Sequence, residues 1–549
     1  ANVNLSTSET PDGGISLPQR ALVCVATSFR NRSLFEATNV DDQRYSLCIA
    51  DDSCLRVGVI DDIQKLHVTT CRLGMAPRRV VHIAPMHCFV VGCLAGNVKH
   101  FGLETEEEES NMGNCVRVID DSSLEDLQRI DMEPFEIILS IAQVELAIVG
   151  ETQQRPFLVV GSAYALPQED EPTRGRILLY SFPTDMVEGG DRVLEFVSEY
   201  PTTGGVYSIT QFFQGMFMCT INSKAKVCQL TKHGSSLDVE PVGRGHHGHI
   251  LSLCVKCRAT TESPRNTTDA DMALESNSQD PNKKQKIDNN NAEEKIAIVG
   301  DLMRSISLVQ FYPEHNSLEE IARDFNMNWI TSIEMLTDSV YLGAENWNNL
   351  FCLRRNTTAA SEEERCRLDT IGECHLGEIV NTFMPGSLVM PVASPEGRQI
   401  CDVGGSQTQE RGQSNVRLKV TTGSQTLFGT VDGSLGVVIG MDANTAIFFA
   451  CLQRCMTKTI RPVGELNHAQ FRASHSERRM HPCYGFVDGD LVESFLDLDV
   501  AIMEKTVQEM NNDGSWRAEN VEANEATANR QELALVTVIA LVEDMTMLL

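Results

Sequence analysis

A short pattern of apolar and polar positions recurs along the chain: a β-rich run that ends in small residues, a polar turn, and a second β-rich run. β-Branched and aromatic residues on both sides of a Gly, Asp or Asn turn predict a β-hairpin. A second hairpin's length of chain lies between successive copies, so two hairpins would together form one four-stranded sheet. Seven copies occur, at residues 46–60, 88–103, 157–182, 216–230, 296–311, 340–353 and 426–440.

Seven four-stranded sheets arranged radially form a β-propeller, in which only short, protected strand edges remain. The pattern alone leaves a β-sandwich or two smaller barrels open as alternatives. We predict a mainly β protein with a seven-bladed β-propeller over residues 46–440. Three acidic or polar stretches are predicted to be mobile insertions in it, at about residues 104–125, 259–294 and 392–416.

After about residue 441 the apolar period changes from two to 3.6, which predicts a C-terminal α-helical domain over residues 441–549. The stretch 444–460 carries apolar residues at helical spacing. Asp490 lies three residues before Glu493, a pair typical of a capping box at a helix start. A final amphipathic helix is predicted over about residues 529–547.

Composition and net charge narrow the range of possible functions and cellular locations. Lys and Arg number 46 and Asp and Glu number 76, so the net charge of −30 disfavours an extended nucleic-acid-binding face. The 18 Cys residues follow no regular framework and no signal peptide is visible, which favours the nucleus or cytoplasm. No stretch reads as a membrane span. The chain begins at Ala1 within a strand-like region, and we interpret it as a fragment of a longer protein.

Residues 243–248 match the GxGxxG pattern, but a strand and not a helix is predicted after them, so phosphate binding is disfavoured. Nearby His and Cys residues superficially resemble metal ligands. A tetrahedral zinc site needs converging side chains, whereas Cys254 and Cys257 would point to opposite faces of a strand. We therefore predict no metal site here. The residues considered were His246, His247, His249, Cys254 and Cys257.

Catalytic machinery is not visible in the sequence. Cys451 and Cys455 share one face of a predicted helix, where core packing is the favoured interpretation. No nucleophile elbow, phosphate-binding loop or HExxH motif is found. We predict a non-enzymatic binding or scaffold protein without cofactors. A metal-dependent enzyme that uses residues 246–257 is the hypothesis from another class.

Several long, collinear stretches resemble one known family. They are IDDIQKLH (60–67), GDLMRSISLVQF (300–311), EEIARDFNMNWITSIEML (319–336), LGAENWNNLF (342–351), HLGEIVN (375–381), GSLVM (386–390), LFGTVDG (427–433) and GFVDGDLVESFLD (485–497). They closely resemble the family of the large damage-specific DNA-binding protein subunit, the adaptor of cullin-4 ubiquitin ligases in the CPSF A propeller superfamily. Related subunits of polyadenylation and splicing complexes match less well, and they supply the alternative function.

The resemblance implies how the chain relates to the family's architecture of three propellers and a helical domain. The chain matches the third propeller and the helical domain, and residues 1–45 are expected to hold the end of a preceding propeller or a linker. In the family the second propeller binds the cullin, so we expect cullin binding only through that upstream propeller. Nucleic acid would be contacted indirectly, through the complex.

The resemblance also implies a surface that binds substrate receptors, many of them WD-repeat proteins. An amphipathic helix of a receptor would use apolar anchors, while charged residues would set its polarity and register. Blade packing is the alternative interpretation of each position. The contact positions carried over are Ala163, Glu169, Glu171, Gly205, Tyr207, Leu251, Leu253, Leu302, Arg304, Trp329, Ile379, Asn381 and Val431.

Overall fold

A computed structural model of the chain divides it into two compact units, residues 1–71 and 72–549. The described residues are 25–29, 46–50, 55–59, 71–95, 113–183, 192–234, 236–257, 295–386, 422–460, 467–477, 479–516 and 533–546. In the first unit, three antiparallel strands form one sheet, which confirms the hairpin predicted at residues 46–60. These strands are Val25–Phe29, Ser46–Ala50 and Leu55–Val59.

The second unit contains six antiparallel sheets that follow one another along the chain, and we number them as blades 1 to 6. In each blade the strands are paired in sequence order. Blade 1 comprises Ala76–Ile83, Cys88–Leu94, Cys115–Asp120 and Asp126–Asp131. Blade 2 comprises Glu136–Ala147, Gln154–Tyr164, Gly175–Ser181 and Glu195–Thr202. Blade 3 comprises Val206–Gln211, Phe217–Ile221, Lys224–His233 and Ser236–Pro241, with His246–His247 paired to its third strand.

The next three blades continue the same order, although blade 6 has three strands among the described residues. Blade 4 comprises Ser252–Cys257, Ile296–Asp301, Ile306–Tyr312 and Ser317–Arg323. Blade 5 comprises Ile330–Met335, Val340–Glu345, Asn349–Arg355 and Leu368–His375. Blade 6 comprises Val380–Pro385, Thr422–Thr430 and Leu435–Met441.

Apolar cores between neighbouring blades hold the propeller together. Phe217 of blade 3 packs with Val159 of blade 2, and Tyr341 of blade 5 packs with Ile298 of blade 4. All four side chains are almost completely buried. Burying a large apolar side chain contributes roughly 1.5–3 kcal/mol, so these contacts fix each blade against the next. The first strand of each blade lies innermost, against the first strand of the following blade.

The fold prediction is confirmed in its class and partly in its detail. The chain is mainly β and has a propeller. Six blades are observed among the described residues of the second unit, so the predicted count of seven is not confirmed. The insertion predicted at 104–125 is wrong in its second half, because Cys115–Asp120 forms the third strand of blade 1. Val116 and Val118 alternate into the core there. The insertions predicted at 259–294 and 392–416 lie outside the described residues.

Helices are concentrated after blade 6. A short helix, α1, lies inside blade 5, and three 3₁₀ turns occur elsewhere in the described residues, at Ala84–Met86, Phe213–Gly215 and Ser494–Asp497. A hairpin with two residues in each strand, Ser474–His475 and Met480–His481, lies between the helices His468–Phe471 and Gly489–Glu493. We call it the C-terminal hairpin. The helices are α1 Glu362–Arg365, α2 Ala443–Thr459, α3 His468–Phe471, α4 Gly489–Glu493, α5 Val500–Asp513 and α6 Leu535–Thr546.

The C-terminal helices share one apolar core. Cys451 and Cys455 of α2 are buried in it, with Met510 of α5 and Val542 of α6, as the core-packing interpretation predicted. The predicted helix start is wrong by two residues, because Asp488 and not Asp490 caps α4 by accepting a hydrogen bond from Leu491 N. The helix that the sequence predicted to continue from there is interrupted before α5 begins.

Candidate partner-docking face

The site residues predicted from the sequence lie at one end of the blades. In an antiparallel blade, the connection between the second and third strands is at the same end as the connection that leads into the next blade. We call the surface formed by these connections in blades 2 to 6 the docking face. The predicted positions all lie in these connections or at the adjoining strand ends.

A main-chain hydrogen bond joins the two kinds of connection in each of blades 2 to 6. It brings Leu302 beside Leu251 and Val431 beside Ile379, so four predicted residues form two pairs. The bonds run from Ala165 N to Phe135 O (2.8 Å), Asn222 N to Gly205 O (3.1 Å), Leu302 N to Leu251 O (2.9 Å), Asn346 N to Trp329 O (2.9 Å) and Val431 N to Ile379 O (2.9 Å).

Asp301 organises the docking face at blade 4. Its buried carboxylate accepts hydrogen bonds from the backbone of Ile250 (2.6 Å) and Leu251 (3.2 Å) with Oδ2, and from Met303 and Arg304 (both 2.9 Å) with Oδ1. Because one side chain holds both connections, Leu251 and Arg304 have fixed backbone positions.

Arg304 is itself exposed and also donates from Nη1 to the carbonyl oxygen of Gly248, at 2.8 Å. This bond orients the guanidinium across the connection that leads into blade 4. Neighbouring Leu302 and Leu253 are half-buried, so each leaves part of an apolar surface beside a fixed positive charge.

The segment 324–329 has an inverted alternation of polar and apolar residues. Phe325, Met327 and Trp329 are 69%, 77% and 44% exposed. Asp324, which precedes Phe325, and Asn328, which precedes Trp329, are only 2% and 6% exposed. In an ordinary half-buried strand or loop the apolar residues would face the core. Here the buried polar side chains hold the backbone from the side that faces the core, and three large apolar side chains are left on the surface.

The buried polar residues are satisfied by one another. Asp324 accepts from Ser305 Oγ at 2.6 Å and from the backbone of Asn326 at 3.1 Å. Burial raises the pKa of Asp324 even though these hydrogen bonds favour its ionised form. Asn328 O also accepts from Ser305 N at 3.1 Å, which ties the segment to the connection that carries Arg304.

Other exposed apolar side chains surround this segment. Trp347 follows Asn346, which is bonded to Trp329, and Met303 precedes Arg304. Apolar surface of this extent on one side of a protein is typical of a partner-binding site. We call the group the apolar patch, and it consists of Met303, Phe325, Met327, Trp329, Trp347 and Met480.

Met480 belongs to the patch because the C-terminal hairpin lies against blade 5. Arg479 donates to Asn326 Oδ1 at 3.2 Å and to Asn328 Oδ1 at 3.3 Å. Asn349 donates to Glu345 Oε1 at 2.6 Å and to the carbonyl of His475 at 2.8 Å. A small cleft lies at this junction, lined by Asn328, Glu345, Asn349, Phe351, Glu373, Ser474, Ser476, Arg479 and His481.

The connection in blade 2 presents the acidic edge of the docking face. Glu169 accepts from the backbone (3.1 Å) and hydroxyl (2.9 Å) of Thr173, which closes the loop, and Glu171 is exposed. Burial raises the pKa of Tyr207, and the nearby Glu171 carboxylate raises it further. Tyr207 therefore lies within electrostatic reach of the Glu171 carboxylate.

The predicted residues differ in how much surface they offer. Glu171, Arg304, Trp329, Asn381 and Val431 are exposed, whereas Glu169, Tyr207, Leu251, Leu253, Leu302 and Ile379 are half-buried. Ala163 is fully buried, so it offers no surface to a partner in this structure. A Cβ at Gly205 would lie 3.0 Å from Ala163 Cβ and from Leu139 Cδ1, so a larger residue there would have to displace these neighbours slightly.

Sequence reasoning missed much of the apolar patch, including Phe325, Met327, Trp347 and Met480. A usable signal was present, because DFNMNW alternates strictly between polar and apolar residues beside a β-strand. Which of the two sets faces inward cannot be read from the alternation, since both choices have the same period.

Two clusters of potential metal ligands occur among the described residues. One combines His246, His249 and Glu320, and the other combines Cys451, Cys455 and Asp513. The second lies against the helical core, and its Asp513 already accepts from Arg454 Nη2 at 2.9 Å.

The expectation that Cys254 and Cys257 point apart is confirmed. Cys254 packs with the core between blades 4 and 5, and Cys257 with the core between blades 3 and 4. The GxGxxG pattern is followed by a strand, Ser252–Cys257, as predicted.

Comparison with known proteins assigns the family. The family model of the CPSF A subunit region matches residues 113–244 and 272–497, more than half of the chain. The chain belongs to the CPSF A subunit region family. Within the described part of the chain, no helix is long and apolar enough to span a bilayer.

Three plant proteins are similar to this chain over most of its length. DNA damage-binding protein 1a of Arabidopsis thaliana is 36% identical over 466 residues, which are 85% of this chain and 36% of that protein. DNA damage-binding protein 1b of the same plant is 35% identical over 460 residues, 84% of this chain and 35% of the relative. DNA damage-binding protein 1 of Solanum lycopersicum is 34% identical over 467 residues, 85% of this chain and 36% of the relative. The chain thus spans about a third of the length of these relatives.

Proposed function

We propose that this chain is a non-enzymatic adaptor whose docking face binds a helical segment of a substrate receptor in a cullin-RING ubiquitin ligase. The single observation that supports this most is the inverted alternation of 324–329, which leaves three large apolar side chains exposed above buried polar ones. Buried Asp324 and Asn328 hold this arrangement in place, so it is a built feature of the surface.

The chemistry of the docking face suits an amphipathic helix. The aromatic and Met side chains of the apolar patch can receive apolar residues at successive helical turns, and Met adapts to different shapes. Arg304 in blade 4 and Glu171 in blade 2 supply opposite charges at separate places on the docking face, which would orient the helix. Receptors of the WD-repeat type are the partner class that we propose.

Binding of a receptor helix can be tested with single substitutions in the full chain. Trp329→Ala and Phe325→Ala are each expected to weaken a labelled receptor helix at least about tenfold, because truncating a buried aromatic anchor typically costs 2 kcal/mol or more. Arg304→Ala should weaken binding by a smaller factor that shrinks as salt is added. Isothermal titration calorimetry measures all three affinities.

Phe196→Ala is the matched control. Phe196 is also an exposed aromatic residue, but it lies at the start of the last strand of blade 2, away from the docking face. Its truncation should leave the affinity unchanged. Unaltered binding in both Trp329→Ala and Phe325→Ala would overturn the assignment of the docking face.

A second candidate function is a subunit of an mRNA polyadenylation or splicing complex. It is favoured by the family itself, whose description names a CPSF A subunit region. Affinity purification of the full chain with mass spectrometry separates the two candidates. Recovery of substrate receptors supports the adaptor, whereas recovery of polyadenylation or splicing factors supports the alternative. We also propose that a cullin does not bind to residues 1–549 themselves. We propose that the protein acts in the nucleus and cytoplasm.

We also propose that the complete propeller has the seven blades predicted from the sequence. Val80 on the first strand of blade 1 and Leu435 on the last strand of blade 6 are both exposed. A further sheet that completes a seven-bladed ring would cover apolar side chains of this kind. A cryo-electron microscopy map of the protein would count the blades directly.

A further inference from the structure

We propose that His246, His249 and Glu320 form a zinc site that fastens blade 3 to blade 4. One ring nitrogen of each His and one carboxylate oxygen of Glu320 all lie within 4.8 Å of one another. Two imidazoles and one carboxylate are a common zinc ligand set, and a water molecule can occupy the fourth position. The nitrogen ligands favour zinc over magnesium or calcium, which prefer oxygen.

The two imidazoles offer buried nitrogens without a hydrogen-bond partner. His246 Nε2 and His249 Nδ1 are both shielded from solvent and make no hydrogen bond, although nearly all buried polar atoms in proteins make one. His246 Nε2 does lie within ion-pair distance of Glu320, the third ligand. His249 is only 7% exposed, and its other nitrogen, Nε2, is 2.7 Å from Ser307 Oγ. If Nε2 donates that hydrogen bond, the lone pair is on Nδ1. Metal-binding His residues are commonly oriented by such a bond from the opposite nitrogen.

The spacing of the ligand atoms suits a tetrahedral ion. His246 Nε2 lies 3.4 Å from Glu320 Oε2. Two ligands at about 2.0–2.1 Å from zinc with a tetrahedral angle between them are roughly 3.4 Å apart. A Cβ at Gly248 would lie 2.7 Å from His246 Nε2, so the glycine keeps the space beside that nitrogen open.

Arg323 supports the carboxylate. Its Nη2 donates to Glu320 Oε2 at 2.6 Å, which fixes the plane of the carboxylate, as hydrogen-bond partners of metal-binding carboxylates commonly do. The positive guanidinium of Arg323 balances the negative carboxylate of Glu320, and the two imidazoles are neutral. The site is therefore neutral without metal, and a bound zinc ion would leave it with a net positive charge. We therefore expect moderate affinity.

The three ligands come from different elements. His246 is paired with Ala225 on the third strand of blade 3, Glu320 lies on the last strand of blade 4, and His249 lies in the connection between the two blades. The carbonyl of Gly248, between the two His residues, accepts the hydrogen bond from Arg304. A bound zinc ion would thus hold the blade junction and the connection that orients Arg304.

The test uses the full chain after chelator treatment. Addition of Zn²⁺ is expected to give one bound ion per chain by elemental analysis after equilibrium dialysis against a buffer of known free Zn²⁺. At about 100 times its Kd, Zn²⁺ should raise the Tm by roughly 2–4 °C. Co²⁺ in its place should give the visible absorption of a tetrahedral nitrogen and oxygen site. His249→Gln and Glu320→Gln should each abolish the stoichiometric ion, the Tm shift and the spectrum.

The controls separate this site from other ligands in the chain. His233→Gln is matched, because His233 forms an exposed pair with Glu240 at 3.1 Å in blade 3, and it should leave all three measurements unchanged. Circular dichroism in chelator checks that the variants are folded, and Glu320→Gln carries the test if His249→Gln unfolds. The proposal is overturned if no stoichiometric zinc binds. It is equally overturned if Co²⁺ shows thiolate charge transfer that Cys451→Ser removes.

Discussion

At the scale of single residues, the docking face depends on buried polar side chains. Asp301 and Asp324 lie inside the protein, while Phe325 and Met327 lie outside it. The sequence places Trp329 and Arg304 in motifs that resemble a known family, and their role as partner contacts stays a prediction. It could not show that the polar residues of DFNMNW are the buried ones, since that depends on partners such as Ser305 that are distant in the chain.

Asp301→Asn is expected to destabilise the protein by about 1–3 kcal/mol. The carboxylate accepts four backbone hydrogen bonds, and an amide in its place would turn an NH₂ group toward two of the donors and leave them unsatisfied. Urea unfolding monitored by circular dichroism measures the change. Because Leu251 and Arg304 lose their support, binding of a receptor helix should weaken in parallel.

Asp369→Asn provides the matched control for Asp301→Asn. Asp369 is exposed on the last strand of blade 5, so the same chemical change should alter stability by less than about 0.5 kcal/mol. Equal effects of the two substitutions would show that the carboxylate of Asp301 does not organise the docking face.

At the scale of secondary-structure elements, the hairpins were predictable and the element boundaries less so. The strand Cys115–Asp120 was taken as part of an insertion, because the acidic run before it dominated the composition of the segment. The start of α4 was placed at Asp490 on spacing alone. The cap is Asp488, whose carboxylate is held by Arg472 at 2.7 Å and by His468 at 2.8 Å. Both partners lie outside the Asp490–Glu493 pair on which the prediction was based.

Asp488→Asn should therefore destabilise the C-terminal helices by about 1–3 kcal/mol at pH 7, since the half-buried guanidinium of Arg472 would lose its charged partner. Burial alone would raise the pKa of Asp488, but the hydrogen bonds from Arg472 and His468 outweigh burial and hold it below its ordinary value of 3.8. The stabilisation is then complete above about pH 4 and is lost as the pH falls further. Urea midpoints measured from pH 7 downward should converge for the two proteins in acid.

Asp490→Asn is the control for this prediction, two residues along the same helix. Asp490 is exposed in the first turn of α4, and losing its charge should cost at most about 0.3–1 kcal/mol. A larger loss from Asp490→Asn than from Asp488→Asn would favour the capping box predicted from the sequence. A gap between wild type and Asp488→Asn that stays constant in acid would contradict the lowered pKa.

At the scale of the whole molecule, the repeat predicted the propeller architecture, whereas the predicted count of seven blades is not confirmed. Each hairpin motif is a local signal, whereas a blade is defined by which hairpins share a sheet, and that is decided by long-range pairing. The predicted copy at 46–60 does form a hairpin, but in a separate unit from the six blades. The exposed Phe325 and Met327 were missed for a similar reason, because exposure depends on what the neighbouring blades cover.

The net charge of −30 yields a prediction for the chain as a whole. Relatives carry the name DNA damage-binding protein, yet this chain alone is expected to show no saturable binding to duplex DNA, with or without a lesion, at about 0.15 M salt. Affinity for duplex DNA comes largely from neutralising phosphates with Lys and Arg, and here acidic residues outnumber them by 76 to 46. Fluorescence anisotropy with matched damaged and undamaged duplexes measures this.

The dependence of DNA affinity on salt concentration helps to identify binding at a basic site. A basic site that overcame the net charge would contact several phosphates, so its affinity would fall steeply with salt. Arg304 on the docking face and Arg479 in the neighbouring C-terminal hairpin are two of the basic residues nearest the apolar patch, and both donate hydrogen bonds to the protein itself. Saturable binding that prefers the lesion and is lost in Arg304→Ala or Arg479→Ala would show that the docking face reads DNA directly. Absence of binding agrees with a surface whose exposed side chains are apolar and suited to another protein.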